Sequence, residues 1–271
     1  MTRALTVQRY EDARPLGARA DEVSLEEPLE IRVEGEPLAV AMRTPGQDDE
    51  LAAGWLLSEG IVRTAEAIAT IVPRPGGDSA RAAMVDVMLR DPSGFEAARH
   101  RRSVLTNSSC GLCGAASVDQ VLRQFPKIDG EFQIPAATIL DMPARMAAQQ
   151  AAFQRTGGLH ACGLFDSEGT LLALREDVGR HNALDKLLGW ALLGHRLPLA
   201  GHVVFLSGRV SFEMTQKALA AGIPVVAAIG APTSLAVEMA VQSGQTLAAF
   251  IRGRAMNLYA GGQRIRGAGG R

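Results

Sequence analysis

His202-Val203-Val204-Phe205-Leu206-Ser207-Gly208-Arg209 is read here with two later runs, Ile223-Pro224-Val225-Val226-Ala227-Ala228-Ile229 and Thr246-Leu247-Ala248-Ala249-Phe250-Ile251. Each is a short apolar run closed by small or polar residues, the mark of a strand buried on both faces. Between them, Ser211-Phe212-Glu213-Met214-Thr215-Gln216-Lys217-Ala218-Leu219-Ala220 has helical spacing. Gly230-Ala231-Pro232-Thr233-Ser234 caps a second helix that runs to Gln242. This β-α-β-α-β succession with short connections predicts an α/β unit, a parallel sheet covered by helices. Ligands of such sheets gather at the carboxyl ends of the strands. Those ends carry Ser207-Gly208-Arg209, then Gly230 to Ser234, then Arg252-Gly253-Arg254. Small residues, helix N-termini and arginines on one rim suit a phosphate-rich ligand, with plain turns as the competing reading. The G-x-G-x-x-G and G-x-x-x-x-G-K-[ST] fingerprints are absent.

Upstream, residues 141–155 read as an alanine- and glutamine-rich helix stopped by Gly157-Gly158. A hairpin follows over residues 159–174, turning at Asp166-Ser167-Glu168-Gly169. It leads into Arg175-Glu176-Asp177-Val178-Gly179-Arg180-His181-Asn182-Ala183-Leu184-Asp185-Lys186, the later half opening a helix. Surface capping and i,i+4 pairing compete for that cluster. Glycine nevertheless breaks the charge pattern where Asp177, Arg180, His181 and Asn182 converge, as in a site. Nearer the start, residues 29–33 and 38–42 alternate as a hairpin, residues 48–58 form a helix stopped by Gly60, and residues 84–89 form a weaker strand. Residues 73–78 read as a loop, and residues 1–24 as a polar leader without periodicity. A small α+β unit over 25–105 therefore precedes an α/β unit over 106–262.

Thr106-Asn107-Ser108-Ser109-Cys110-Gly111-Leu112-Cys113-Gly114 holds two of the three cysteines at C-x-x-C spacing. A helix reads from Ala115 onward, so Cys113 stands near its N-terminus, where the dipole favours a thiolate. The pair fits sulfur or redox chemistry, half of a zinc site completed by His160 and Cys162, or a chance pair. The zinc deaminase pattern has a glutamate where Cys162 stands. Charges balance at 28 Lys+Arg against 29 Asp+Glu, so no global field argues for nucleic acid or membrane. Three cysteines do not make a secreted disulfide framework, and the first residues carry no apolar core of signal-peptide length, so a cytoplasmic protein is expected.

Taken in order, the segments Met42-Arg43-Thr44-Pro45-Gly46, Asp49-Glu50-Leu51-Ala52-Ala53-Gly54, Ser109 to Gly114, Thr156-Gly157-Gly158-Leu159-His160-Ala161, Arg175 to Lys186, Ser207-Gly208-Arg209 and Ala231-Pro232-Thr233-Ser234-Leu235-Ala236 resemble the FdhD family. The resemblance covers nearly the whole chain. It implies a sulfur carrier, a sulfurtransferase that takes sulfur from a cysteine desulfurase as a cysteine persulfide. The acceptor it implies is the molybdenum or tungsten cofactor bearing two molybdopterin guanine dinucleotides, ahead of formate dehydrogenase. It further implies a cytidine-deaminase-like C-terminal domain, a homodimer, no resident metal, and guanine nucleotides such as GDP as mimics of the cofactor. Carried over residue by residue, Cys110 is the persulfide carrier and Cys113 assists or resolves. Phe250, Ile251, Arg252, Gly253, Arg254 and Ala255 match the segment that contacts the cofactor, with His160, Asp177, Arg180, His181 and Ser207 as further candidates. Cys162 departs from the family pattern and is expected to be an inert buried thiol. A zinc-dependent hydrolase and a non-enzymatic cofactor chaperone are the alternatives.

Overall fold

The computed structural model describes residues 2–74, 83–100 and 115–267. The chain begins with β1 (Thr2–Glu11) and β2 (Arg14–Ser24), then β3 (Glu27–Val33), β4 (Glu36–Arg43), α1 (Asp48–Ser58), β5 (Ile68–Arg74) and β6 (Ala83–Leu89). After α2 (Ala97–His100) come α3 (Ala115–Gln124), β7 (Ile134–Pro135), α4 (Ala136–Ala147) and α5 (Ala151–Thr156). Then follow β8 (His160–Phe165), β9 (Leu171–Asp177), α6 (Arg180–Leu193), β10 (Val203–Leu206), α7 (Phe212–Ala220), β11 (Val225–Ala228) and α8 (Ser234–Ser243). The chain ends with β12 (Thr246–Arg252), β13 (Ala255–Ala260) and β14 (Ile265–Arg266). Among the described residues, no helix is long and apolar enough to cross a membrane.

The principal sheet is six-stranded, in the order β13-β12-β11-β10-β8-β9. Its centre, β10 to β12, is parallel as the sequence pattern predicts, but β8 and β13 run against it while β9, antiparallel to β8, runs with it, so the sheet is mixed. Period two sorts its side chains. Ala161, Phe165, Val203, Phe205, Val225 and Ala227 meet Ile139, Met142 and Met146 of α4. Cys162, Leu164, Val204, Leu206, Val226 and Ala228 lie in the core cluster that also holds residues of α6, α7 and α8. That second cluster continues through α6 into α1 and the four-stranded sheet β4-β3-β6-β5, where Leu29, Ile31 and Val33 point inward from β3.

Helix α1 is buried along its whole length from Leu51 to Ser58, which requires an apolar partner on more than one side. Two glycines make its contact with α6 possible. A methyl group at Gly54 would sit 1.8 Å from the Asp185 carbonyl oxygen, and one at Gly189 would sit 1.8 Å from that of Glu50. The helices therefore touch backbone to backbone, and the N-terminal elements join the same core.

Three expectations change. The polar leader is a ribbon, β1 paired antiparallel with β2, whose turn places Asp12 and Ala13 at positive φ. Such a turn usually announces itself as Asn-Gly or Asp-Gly, and here alanine hides it. The helix expected over 141–155 is two helices, α4 starting earlier and α5 separated from it by Ala148, Gln149 and Gln150. The first free N–H groups of α5 are taken by Glu176 from β9, at 3.1 Å from Ala152 and 2.8 Å from Phe153, so the break is stabilised from outside its own segment. The loop expected at 73–78 gives way in part to β5, which runs to Arg74, and residues 75–78 lie outside the described residues.

Candidate functional site

The chain reverses so that β9, β10, β11 and β12 end on one edge of the sheet, where β8 begins. Helices α6, α7 and α8 follow the first three of these strand ends, so their N-termini open on that edge. Unpaired N–H groups and the positive dipole end make such an edge attractive to anions. The loops there are laced together: Gly230 N–H donates to Gly208 O at 3.1 Å, Val210 N–H to Ala231 O at 3.0 Å, and Thr233 N–H to Val210 O at 2.9 Å. A side chain at Gly230 would place its Cβ 2.5 Å from Gly208 O, so only glycine permits this approach. Thr233 caps α8, accepting from Ala236 N–H at 3.3 Å.

Asp177 is fully buried at the end of β9. One of its oxygens accepts from Gly179 N–H at 2.8 Å and Asn182 Nδ2 at 3.0 Å, the other from Thr44 N–H at 3.0 Å and Lys186 Nζ at 2.7 Å. Lys186, also fully buried, donates onward to Thr44 O at 2.8 Å. Asp177 therefore fixes the turn that starts α6 and presents no oxygen to the edge. Next to Lys186, Asp185 pairs with Lys217 Nζ of α7 at 2.7 and 2.8 Å and accepts from Ser58 Oγ at 2.8 Å. Burial pushes the Asp185 carboxyl pKa up, opposed by Lys217 and Ser58.

Above this buried layer lie the cationic groups. His160 opens β8, Arg180 is the first residue of α6, and Arg209 lies in the loop between β10 and α7. His160 is held below the ordinary histidine range, first by burial and then by Arg180 and Arg209, with Asp177 opposing. His181 Nε2 lies 3.2 Å from Ser211 Oγ and 3.0 Å from Glu213 Oε2, joining α6 to α7. Ser207 is occupied by the fold: its Oγ accepts from Ala161 N–H at 2.9 Å and its N–H donates to Ala161 O at 3.0 Å.

The C-terminal candidate segment reaches the same edge through Phe250, whose N–H donates to Gly230 O at 3.3 Å. Phe250 has φ of 54° and a half-exposed ring, a conformation that costs a non-glycine residue free energy. Arg252, Gly253, Arg254 and Ala255 form the exposed turn into β13, and Arg254 lies 3.6 Å from Asp141 of α4. The Ile251 side chain is buried in the core, leaving only its backbone for a ligand. Cys110 and Cys113 lie outside the described residues. The chain re-enters at Ala115, and Val118 and Val121 of α3 share an apolar cluster with Phe212, which opens α7 on the edge. Cys162 is buried, and burial raises its thiol pKa well above the usual range.

A model of the FdhD/NarQ family matches residues 24–266 of this chain. The chain belongs to the FdhD/NarQ family. It is 46% identical over 253 residues to a sulfur carrier protein of Nocardia farcinica, covering 92% of this chain and 89% of that protein. A sulfur carrier protein of Mycobacterium tuberculosis is 47% identical over 266 residues, covering 95% and 96%. Its fold is similar to the crystal structure of a protein described as a formate dehydrogenase accessory protein from Desulfotalea psychrophila. That likeness has a TM-score of 0.74 and 25% identity, and spans 97% of this chain and 99% of that one. The FdhD/NarQ match begins at the last residue of β2, so the β1–β2 ribbon is almost wholly outside it.

Sequence reasoning about this FdhD/NarQ chain placed Arg209 on the rim without singling it out. It gave no role to Thr44, Lys186 or Glu213. Arg209 was findable, since it follows a strand end at Ser207-Gly208. The Thr44–Asp177 contact spans 133 positions and leaves no local signal.

Proposed function

We propose that the protein is a sulfur carrier serving formate dehydrogenase: Cys110 accepts sulfur from a cysteine desulfurase as a persulfide, and Cys113 assists or resolves. The sulfur passes to a molybdenum or tungsten cofactor bearing two molybdopterin guanine dinucleotides, which is bound as substrate on the positive edge of the sheet. The observation that carries this reading is the convergence of three helix N-termini with His160, Arg180 and Arg209 on one edge, in a family whose relatives are named sulfur carrier proteins. Phe250 supplies a ring for guanine, and Arg252 and Arg254 supply charge beside it. In this reading residues 106–262 are the cytidine-deaminase-like domain, residues 25–105 the smaller one, and the protein works as a cytoplasmic homodimer.

Loading is a transfer without net oxidation. The carrier thiolate attacks the outer sulfur of the desulfurase persulfide, the S–S bond of the donor breaks, and the donor cysteine leaves as a thiolate that takes up a proton. A lowered thiol pKa favours the attacking form. The test is intact-protein mass after incubation with a cysteine desulfurase and cysteine. One added sulfur, removed by reductant and lost in Cys110→Ala, is expected. Equal loading of wild type and Cys110→Ala would overturn the assignment. A chaperone that only shelters the cofactor would instead let Cys110→Ala restore formate dehydrogenase activity in cells.

A further inference from the structure

We propose that two copies of the chain join through the outer edge of β1, antiparallel and centred on Val7, so that their β1–β2 ribbons form one four-stranded sheet. The inference rests on the reading of the protein as a homodimer, and it names the surface on which the copies meet. The ribbon stands apart from the core. Among the described residues β1 pairs with β2 alone, every residue from Arg14 to Ala20 is exposed, and in β1 only Thr2 and Val7 are half-buried. Its foot is held by Ser24 Oγ, which donates to Thr156 Oγ1 at 2.9 Å, and by Arg155, which lies 3.8 Å from Glu22. Beyond the foot, Leu5, Tyr10 and Leu16 face solvent. Two strands alone are marginally stable in water, so a ribbon of this length gains from further strands.

The two edges of the ribbon differ. β2 carries the features that stop a strand from recruiting another. Pro15 has no N–H, and Gly17 has φ of 93°. The register passes from Arg9–Gly17 to Tyr10–Pro15, which leaves Leu16 as an extra, bulged residue. β1, from Thr2 to Glu11, contains no proline, glycine or lysine and no extra residue. Its unbroken row of N–H and C=O groups is a template for another strand.

Charge selects both the occupant and the register. The charged residues of β1 are Arg3, Arg9 and Glu11, all at odd positions and so on one face. Two copies of a strand related by a two-fold axis pair antiparallel, and N–H groups meet C=O groups only where odd positions oppose odd ones. Two such registers overlap almost the whole strand. Centring on Thr6 sets Arg3 against Arg9 of the partner subunit, twice by symmetry. Centring on Val7 sets Arg3 against Glu11 of the partner subunit, also twice. Leu5 then lies beside the aliphatic stem of Arg9, Ala4 beside Tyr10, and Val7 beside its own copy. Glu11 can turn to a new partner, since it meets Arg9 at 3.7 Å with both side chains at least half exposed. A strongly acidic partner would meet Glu11 and a strongly basic one the two arginines, whereas the strand is complementary to itself. One pair of strands is smaller than a standard interface, so association in the micromolar range is expected.

The test is sedimentation equilibrium of the full chain over about 1 to 100 µM, for wild type, Arg3→Glu, Glu11→Arg and an equal mixture of the two variants. Wild type is expected to pass from monomer to dimer. Each variant alone sets like charges opposite each other twice and should dimerise about ten-fold or more weakly. The mixture sets opposite charges against each other again and should recover dimer near wild-type strength, which a folding defect in either variant would not allow. A wild-type dimer left unchanged by both variants, or weakened by them without recovery in the mixture, would overturn the β1 pairing and leave the homodimer reading standing. A wild type that stays monomeric throughout would overturn both and leave the sulfur-carrier reading untouched.

Discussion

Replacing Asp177 by asparagine keeps the shape of the side chain and removes its charge, and the structure says what that costs. Lys186 would remain fully buried, with only Thr44 O left to receive its protons. The amide oxygen can keep the Gly179 and Asn182 donors, but its NH2 then faces Thr44 N–H and Lys186 Nζ, setting donors against donors. Breaking a buried ion pair from one side costs about 3–5 kcal/mol. At roughly 2–4 °C per kcal/mol for a chain of this size, the melting temperature should fall by roughly 6–20 °C. Lys186→Met added to Asp177→Asn removes the stranded charge and leaves mainly the Thr44 N–H unsatisfied, about 1–3 kcal/mol. The second substitution is therefore expected to restore stability, not to remove more. Urea unfolding of wild type, both single variants and the double variant completes the cycle. If Lys186→Met destabilises the Asp177→Asn background further, the ion pair is not the source of the cost and the reasoning fails.

Three more outcomes follow from other parts of the molecule. Gly189→Ala should destabilise by about 1–3 kcal/mol or more in urea unfolding, because its methyl group would lie 1.8 Å from Glu50 O on α1. At Phe250 the φ of 54° reverses the ordinary preference: Phe250→Gly should be about 1 kcal/mol more stable than Phe250→Ala by thermal melts, and both should bind GDP more weakly than wild type. His160 has a folded pKa below its unfolded value of about 6.5, so the stability it contributes is present above that pH and is lost as pH falls through the folded value. Melting temperatures compared between about pH 7.5 and 5.5 should show a smaller drop in His160→Gln than in wild type, and equal drops would contradict the assignment.

The centre of the sheet was legible because local signals agree there. Val203 to Leu206 and Val225 to Ala228 are buried at every position, and Thr233 caps the helix that follows. What was not legible depends on partners far away in the chain. The β1–β2 ribbon turns at Asp12-Ala13, which lacks the glycine that marks such turns. The break between α4 and α5 is held by Glu176, and Gln150, at the N-cap of α5, gives no hint of it. At the site, Asp177 read as a site residue or as surface charge, since spacing alone cannot show that it is sealed with Lys186. Phe250 was named as a cofactor contact by resemblance, but its strand-like surroundings gave no sign of its positive φ, which falls within the register shift between Ala249 and Arg252 against β13.

The buried ion pairs and the positive edge make sense only together. Asp185 and Lys186 are neighbours on α6, yet they bind in different directions. Asp185 reaches Lys217 on α7 and Ser58 on α1, and Lys186 reaches Asp177 at the end of β9 and the backbone of Thr44 after β4. Within about two turns of Arg180, α6 is thus tied to α7, α1, β9 and the segment after β4. Hydrophobic packing alone would let that end relax away from the repulsion between Arg180 and Arg209. Directional pairs beneath it prevent the relaxation, so the charges stay converged when no anion is bound and the ligand meets a site already formed. Loosening this layer should therefore weaken anion binding even where no altered residue touches the anion. Asp177→Asn tests this through pyrophosphate affinity, with Lys186→Met in the same chain recovering stability but not the Thr44 contact that orients the turn before Arg180.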